Sequence, residues 1–354
     1  MKRSGIAPRL IAWHARAGRH DLPWQHHPSK DRSAYRVWVS EIMLQQTQVA
    51  TVIPYFERFM QKFPTVRALA DAGIDEVLHL WTGLGYYARA RNLHRAAQTI
   101  RDQHGGRFPQ EFAAVMELPG IGRSTAGAIL AQAHGARHAI LDGNVKRVLA
   151  RHYGIDGAPD DAATLAQLWR HAEENTPDSD VAIYTQAVMD LGATLCTRAR
   201  PRCEDCPIAA DCRARIEARQ AELPARKRKR VARRQRRAVM LVARHASRVL
   251  LVQRPASGIW GGLWCLPEFD DASSAQEYAA RQLARAATAA PLPDIEHSFT
   301  HFDLVITPLL VRCQGVRRVN EAHELWYDLE QPARVGLPAP IKSLLGRLSE
   351  RIES

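Results

Sequence analysis

A short glycine-containing segment of the sequence could bind a phosphate group. In LPGIGRSTAGAIL, Gly120 and Gly122 allow a tight turn between two predicted helices. The free N–H groups and the dipole of the second helix would face that turn, so a phosphate oxygen could bind there without a lysine. An ordinary glycine-capped turn between helices is the alternative. Ser124 follows Arg123, so that position supplies no amine.

Two carboxylates are candidates for chemistry. Asp142 in ILDGNVKRVLAR precedes a glycine and a predicted helix, where an N-cap or a turn residue is the simpler interpretation. Glu41 in YRVWVSEIMLQQTQV lies on a predicted helix near Val37 and Leu44. Apolar neighbours should raise its pKa, which suits a general acid. A surface glutamate on an amphipathic helix is the alternative.

Four cysteines have the spacing of metal ligands. Cys196, Cys203, Cys206 and Cys212 form C-x6-C-x2-C-x5-C, and four thiolates so close in sequence can enclose one metal centre. The spacing alone fits zinc or an iron–sulfur cluster. The other two of the six cysteines, Cys265 and Cys313, lack such spacing and are expected to be buried thiols.

The elements that must position these residues fall into three regions. The chain has 354 residues, 46% of them hydrophobic, which is enough for two domains. Helical periodicity dominates residues 1–212, where one helix starting near Tyr35 is predicted to carry Trp38, Ile42, Val49, Ile53 and Phe56 on one side. Residues 213–237 form a connector. Residues 238–354 mix strand-like and helical segments, which predicts an α/β domain.

The net charge of +12 is concentrated in the connector, which holds twelve basic residues against two glutamates. The total is therefore a weak argument for nucleic-acid binding by either domain. The connector is predicted to be a solvated linker that could add salt-sensitive DNA affinity or contact a partner protein. No long apolar stretch or apolar signal core is present, so we expect neither a membrane span nor secretion.

Two segments closely resemble the helix-hairpin-helix DNA glycosylases, and within them the MutY family of adenine glycosylases. They are the hairpin segment LPGIGRSTAGAIL and the aspartate segment ILDGNVKRVLARHYG. The resemblance extends from LPW to GLPAPI. It implies a mainly α glycosylase domain with an iron–sulfur cluster loop, followed by an α/β Nudix-like domain. The endonuclease III branch is similar but has a lysine at the position of Ser124. That lysine cleaves the strand through a Schiff base, so its absence speaks against lyase activity here.

The resemblance also implies catalytic roles. SEIMLQQTQV matches the MutY motif around its catalytic glutamate, so Glu41 would protonate N7 of adenine. Asp142 would stay ionised and stabilise an oxocarbenium-like sugar, with transient covalent attachment left open, and water would complete hydrolysis. Ser124 and Asn144 match positions near the aspartate and would orient it or the water.

A flipped base needs a pocket, and the duplex needs side chains that fill the gap. By resemblance, Trp24 and Gln186 line the adenine pocket. The residues assigned to the duplex and to the opposite base are Leu44, Gln46, Thr47, Leu84, Tyr86, Gly120 and Gly122. For Leu84 and Tyr86, a loop anchored by core aromatic residues is the alternative.

The C-terminal segments PASGIWGGLWCLPEF and HSFTHFDL resemble the C-terminal domain of MutY, which is related to Nudix enzymes. The glutamate-rich box that holds Mg²⁺ in Nudix hydrolases is missing after GGLWCLPEF, so pyrophosphate hydrolysis is rejected. In the family, a Phe-Ser-His loop reads 8-oxoguanine, and the matching residues are Phe299, Thr300 and His301. A plain strand end is the alternative.

The sequence thus predicts a monofunctional glycosylase that removes adenine opposite 8-oxoguanine or guanine in double-stranded DNA. The four spaced cysteines would bind a 4Fe–4S cluster, and the protein would be a cytoplasmic, nucleoid-associated monomer. An endonuclease III-like glycosylase/lyase is a rival that Ser124 and the second domain oppose. A non-catalytic iron–sulfur sensor of lesions is another, and the presence of both Glu41 and Asp142 opposes it.

Overall fold

The computed structural model describes residues 5–25, 34–225, 234–283, 289–299, 301–314 and 323–350. The chain forms two compact units, Met1–Asp71 with Asn92–Lys229 and Ala72–Arg91 with Arg230–Ser354. This division follows packing, whereas the predicted boundaries at residues 212 and 238 follow the sequence. Among the described residues, no helix is both long and apolar enough to cross a membrane.

The described residues from 5 to 225 form helices and no strand, as the periodicity of residues 1–212 predicts. The helices are α1 (Ala7–Ala17), α2 (Ala34–Leu44), α3 (Val49–Lys62), α4 (Val66–Asp71), α5 (Ile74–Trp81), α6 (Ala88–Gln103), α7 (Phe112–Glu117), α8 (Arg123–His134), α9 (Gly143–Tyr153), α10 (Ala162–Asn175), α11 (Val181–Thr194) and α12 (Arg213–Ile216). One core of the first unit forms where α1, α9 and α11 bury Leu10, Leu149 and Leu191. Burial of each such side chain contributes about 1.5–3 kcal/mol.

The prediction of one helix across Trp38 and Phe56 is wrong. Helix α2 ends at Leu44 and α3 begins at Val49. Between them Gln46 has a left-handed φ of 59°, and the Thr47 N–H donates to the Leu44 carbonyl at 3.2 Å. The sequence QQTQ contains no glycine or proline, so nothing in the pattern marks this break.

The second unit contains one mixed sheet. Its strands are β1 (Arg234–His245), β2 (Arg248–Gln253), β3 (Trp264–Cys265), β4 (Glu268–Phe269), β5 (Ala290–Pro291), β6 (Ile295–Ser298), β7 (Phe302–Arg312) and β8 (Glu324–Asp328). The order is β3-β2-β1-β7-β5, while β4 pairs with β1, β6 with β7 and β8 with β2. Strands β1 and β7 run parallel, from Arg234 opposite Phe302 onwards, and the other pairs are antiparallel.

Helices α13 (Ala272–Gln282) and α14 (Ala339–Glu350) complete this unit, and the predicted α/β domain is confirmed. The middle of β1 and most of β7 are buried in nearly continuous runs, and they contribute Leu241 and Val311 to a core of this unit. Strand β1 starts at Arg234, which is earlier than the predicted start at Ala238, and the strand-like segment HSFTHFDLVITPLLVRC contains two strands, β6 and β7.

The segment Ala72–Arg91 packs with the α/β sheet although it lies within the helical region of the sequence. The Trp264 indole N–H donates to Asp75 at 3.1 Å, and the His79 ring lies 3.2 Å from the Val335 carbonyl. Gly336 leaves no room for a side chain, because an added Cβ would lie 2.6 Å from the Cβ of Leu78. Helix α5 is therefore part of the packing of the second unit.

Candidate active site

An open cleft of about 810 Å³ lies within the first unit. Side chains from α2, α8, α9 and α11 line it together with the segment before α2 and the turn after it. The predicted site residues that line it are Trp24, Glu41, Leu44, Thr47, Ser124, Asp142, Asn144 and Gln186. The structure thus brings both candidate carboxylates to one cleft, together with the predicted base-binding side chains.

Glu41 projects from α2 and is partly buried rather than exposed on the surface. The Gln132 side chain of α8 donates from Nε2 to its Oε1 at 2.9 Å. Burial raises the pKa of Glu41 to about 7, the hydrogen bond from Gln132 opposes that rise, and the charge of Asp142 adds to it. The predicted rise in pKa is confirmed, and near neutral pH this group can give up or hold a proton.

Asp142 is the N-cap of α9, as the simpler interpretation predicts. Its carboxylate accepts a hydrogen bond from the Val145 N–H at 2.8 Å. Burial raises the pKa of Asp142, while the N–H groups of Val145 and Asn144 and the charges of Arg147 and Lys146 oppose that rise. The positive end of the helix favours the ionised form at this position.

Ser124 lies in the first turn of α8, where its Oγ accepts a hydrogen bond from the Leu141 N–H at 2.9 Å. Leu141 immediately precedes Asp142, so this contact ties the hairpin helix to the start of the aspartate turn. The Ser124 hydroxyl also lines the cleft. No lysine is among the described residues that line the cleft, so none of them supplies the amine that a Schiff base requires.

Arg147 connects the aspartate turn to the chain around the first cysteine. Its guanidinium donates to Oδ1 of Asn144 and to the carbonyls of Gly192 and Cys196, each at 2.7 Å. Gly192 packs so closely on Asn144 that an added Cβ would lie 2.6 Å from its Cβ. Asn144 is therefore held in place from two sides.

The predicted adenine pocket contains an aromatic wall and a fixed amide. The Trp24 ring is buried and meets Phe56 edge-on, with 5.4 Å between ring centroids. Gln186 donates from Nε2 to Asp190 at 2.8 Å. The fully buried Asp190 also accepts hydrogen bonds from the side chain and the N–H of Arg19. This clamp leaves Oε1 of Gln186 as the atom offered to a ligand.

Three positioning residues, Gln132, Asp190 and Arg19, were missed by the sequence reasoning. Gln132 is a lone amide in the otherwise apolar AILAQA, and Asp190 is a lone acid in the otherwise apolar AVMDLG. Both side chains are buried, and buried polar groups normally have a partner. A polar residue on the buried face of a helix is the signal that could have found them.

The hairpin adopts the predicted conformation. Gly120 has a φ of 82°, and an added Cβ would lie 2.8 Å from the Cβ of Asn92. Gly122 is the N-cap of α8. Because glycine has no side chain, it makes no capping hydrogen bond to the first N–H groups of that helix. These are the features that a phosphate-binding turn needs.

The four spaced cysteines line one cavity of the first unit. The Arg151 guanidinium donates to Sγ of Cys196 at 3.4 Å, and burial, together with the nearby thiols, raises the pKa of Cys206 to about 11. In the described residues no three metal-binding side chains converge closely enough to form a metal site. A donor set of four thiols around one cavity nevertheless fits a group that takes four thiolate ligands.

The remaining predicted residues lie outside the cleft. Gln46 is exposed in the turn after α2. In the second unit, Tyr86 is 51% exposed with a φ of 49°, whereas Leu84 is buried. Phe299 and His301 belong to the turn between β6 and β7, and Thr300 lies outside the described residues.

Comparison with known proteins shows relatives along nearly the whole chain. The family described as "HhH-GPD superfamily base excision DNA repair protein" matches residues 39–174, and the NUDIX domain family matches residues 238–347. Adenine DNA glycosylase of Buchnera aphidicola subsp. Acyrthosiphon pisum (strain APS) is 38% identical and covers 97% of each chain. The Homo sapiens adenine DNA glycosylase is 36% identical over 83% of this chain and 64% of its own.

Solved structures share the helical fold. A thermostable thymine-DNA glycosylase has a TM-score of 0.54 and 26% identity, and covers 60% of this chain and 95% of that one. A non-covalent endonuclease III–DNA complex has a TM-score of 0.50 and 21% identity, with 60% and 94% covered, which shows the fold.

Proposed function

Because the chain belongs to the adenine DNA glycosylase family of base excision repair enzymes, we propose that it hydrolyses the N-glycosidic bond of adenine mispaired with 8-oxoguanine or guanine in double-stranded DNA. The observation that supports this most strongly is the cleft in which Glu41 and Asp142 have different environments. One carboxyl has a pKa of about 7, and the other caps a helix and accepts backbone N–H groups.

Glu41 is the proposed general acid. With a pKa of about 7 a large share of this carboxyl is protonated at neutral pH, so it can protonate N7 of an adenine in the cleft. The protonated base is a better leaving group, and the glycosidic bond weakens. Gln132 holds the carboxyl at a fixed oxygen, Oε1, which leaves Oε2 to carry the proton.

Asp142 is the proposed stabiliser of the positive charge that develops on the sugar. Its N-cap position holds one oxygen through Val145 and favours the carboxylate form. Ser124 and Asn144 position the turn that carries Asp142, and water completes hydrolysis. Because the position of the hairpin lysine is Ser124, we propose that the reaction leaves an abasic site without strand cleavage.

Binding requires that adenine leave the base stack. Trp24 offers an apolar wall, and Oε1 of Gln186 can accept a hydrogen bond from the adenine amino group. Gly120 and Gly122 would hold a phosphate on the N-terminus of α8. We assign the opposite base to Gln46 and Thr47 in the first unit and to the loops of Leu84, Tyr86, Phe299, Thr300 and His301 in the second.

The four spaced cysteines would hold a 4Fe–4S cluster, in keeping with their C-x6-C-x2-C-x5-C spacing. With all four ligands supplied by cysteines, such a cluster would be a structural centre that orders the surrounding loop rather than a reactive metal site. Arg198, Arg200 and Arg202 in this loop would then face DNA phosphates. We further propose a monomer that acts in the cytoplasm on the nucleoid, with the connector 213–237 between the two domains.

The test uses labelled duplexes that contain A:8-oxoguanine, A:G, A:T or thymine glycol, with strand breaks scored before and after hot alkali. We expect breaks in the adenine strand of the mispaired duplexes, and only after alkali. Cleavage at thymine glycol without alkali would favour an endonuclease III-like lyase. Tight binding with no excision from any duplex would favour a lesion sensor. A Glu41→Gln variant should bind the mispair and excise nothing.

A further inference from the structure

Two candidate readers of the base opposite adenine lie in the same compact unit. One is the wedge loop, residues 82–87, which carries Leu84 and Tyr86. The other is the reading turn, formed by Phe299, His301 and Phe302 between β6 and β7. Neither belongs to the cleft with the two carboxylates. A third segment, residues 254–263, contacts the reading turn and the helix start that follows the wedge loop, and we call it the bridging loop.

The bridging loop is folded tightly. The Gly262 N–H donates to the carbonyls of Arg254 and Pro255, both at 3.1 Å. Gly261 has no space for a side chain, because an added Cβ would lie 2.4 Å from the Ala256 carbonyl oxygen. Trp260 is buried and has a φ of 55°, a backbone conformation that is unfavourable for a residue with a side chain. Such strain persists only where the surrounding contacts fix the residue.

Trp260 packs against the reading turn. Its ring centroid lies 5.4 Å from that of Phe299 and 5.6 Å from that of His297. Phe299 also stacks on Phe302 at 4.7 Å, and its N–H donates to the Phe302 carbonyl at 2.9 Å. The indole ring therefore completes an aromatic cluster on which the turn is built.

The other side of the bridging loop contacts the start of α6, which directly follows the wedge loop. Arg91, one turn after Tyr87, donates from its guanidinium to the Gly261 carbonyl, next to Trp260. The wedge loop itself is held by Leu337, which donates its N–H to Thr82 Oγ1 at 3.4 Å and accepts from the Tyr87 hydroxyl at 3.2 Å. A continuous series of contacts thus runs from the wedge loop through Arg91 and Trp260 to Phe299.

We propose that Trp260 is a specificity-determining positioning residue: its ring and the adjoining Gly261 carbonyl hold the reading turn and the wedge loop as one rigid reader of the base opposite adenine. Trp260 acts through Phe299 and does not itself touch the reacting atoms. The inference rests on the proposed function, because it assumes that the two loops read that base.

The test compares single-turnover adenine excision from A:8-oxoguanine and A:G duplexes. The quantity measured is the rate on A:8-oxoguanine divided by the rate on A:G. Trp260→Leu should lower this ratio about three- to tenfold, the scale of one aromatic contact. Trp260→Phe, which keeps an aromatic ring, should restore most of it. Trp326→Leu is the matched control, since Trp326 is a partly buried tryptophan of β8 in the same unit. Its loss should reduce thermal stability without changing the ratio.

A double-mutant cycle with His301→Ala separates positioning from general loss of structure. If Trp260 acts through the reading turn, Trp260→Leu should lower the ratio little further in the His301→Ala background. An unchanged ratio in folded Trp260→Leu protein would overturn the inference. So would a double variant in which the ratio falls by the product of the two single-variant factors. A wild-type protein with equal rates on both duplexes would overturn the inference alone. A wild-type protein that excises adenine from neither duplex would overturn the proposed function, and the inference with it. The two results are distinguishable because only the second abolishes excision.

Discussion

Glu41→Gln should stabilise the protein above pH 7 while it removes the proposed general acid. The pKa of Glu41 rises from 4.5 to about 7 because burial disfavours the carboxylate. As the pH rises through this window, the unfolded chain releases the proton first, so the wild-type protein loses stability. The rise in pKa from 4.5 in the unfolded chain to about 7 in the folded protein corresponds to a loss of roughly 3 kcal/mol of unfolding free energy above pH 7. Glutamine does not ionise and avoids this loss.

The assay is thermal unfolding of wild-type and variant protein at pH 5 and pH 8. A gain of roughly 3 kcal/mol should raise the Tm of the variant by roughly 6–12 °C at pH 8, and the gap should nearly close at pH 5. Glu57→Gln is the control, because Glu57 is exposed on α3 and should change neither Tm appreciably. A Glu41→Gln protein no more stable than wild type at pH 8 would refute burial of an ionisable carboxyl as the cause.

Three other perturbations test neighbouring contacts. Gln132→Leu removes the hydrogen bond that lowers the pKa of Glu41. The pH at which single-turnover excision declines should therefore rise by about one unit. Gln167 is exposed, so Gln167→Leu is the control and should leave that pH unchanged. Ser124→Ala leaves a backbone N–H without its acceptor, so excision should slow roughly three- to tenfold; an unchanged rate would show that the contact does not position the aspartate turn. Cys206→Ala should lose bound iron and acid-labile sulfide, and zinc in place of iron in the wild-type protein would contradict the cluster assignment.

Local patterns were sufficient to predict much of the cleft. Val37 and Leu44 share a helix face with Glu41, so the sequence indicates that this face is buried, and burial is what raises the pKa of Glu41. Asp142 precedes a glycine and a helical pattern, and its role as an N-cap follows from the same local rule. The glycines of LPGIG likewise predict the turn, because glycine readily adopts a left-handed backbone such as the φ of 82° at Gly120.

Contacts between distant parts of the chain could not be predicted in this way. Gln132 of α8 donates a hydrogen bond to Glu41 of α2, and Ser124 of α8 accepts one from the N–H of Leu141, just before α9. Neither pairing leaves a periodic signal in the sequence. The packing of Ala72–Arg91 with the sheet is hidden for the same reason, because a helical pattern shows which face is apolar and not what covers it.

The most direct test of the division of work between the two carboxylates is the pH dependence of single-turnover adenine excision by the wild-type protein on an A:8-oxoguanine duplex. If protonated Glu41 is the acid, the rate should fall as the pH rises past about 7, because the proton-bearing fraction then decreases about tenfold per pH unit. Bound DNA would bury the carboxyl further and could only move this decline to higher pH. A rate that increases with pH through 7 would contradict the assignment, since Glu41 would then act as a carboxylate.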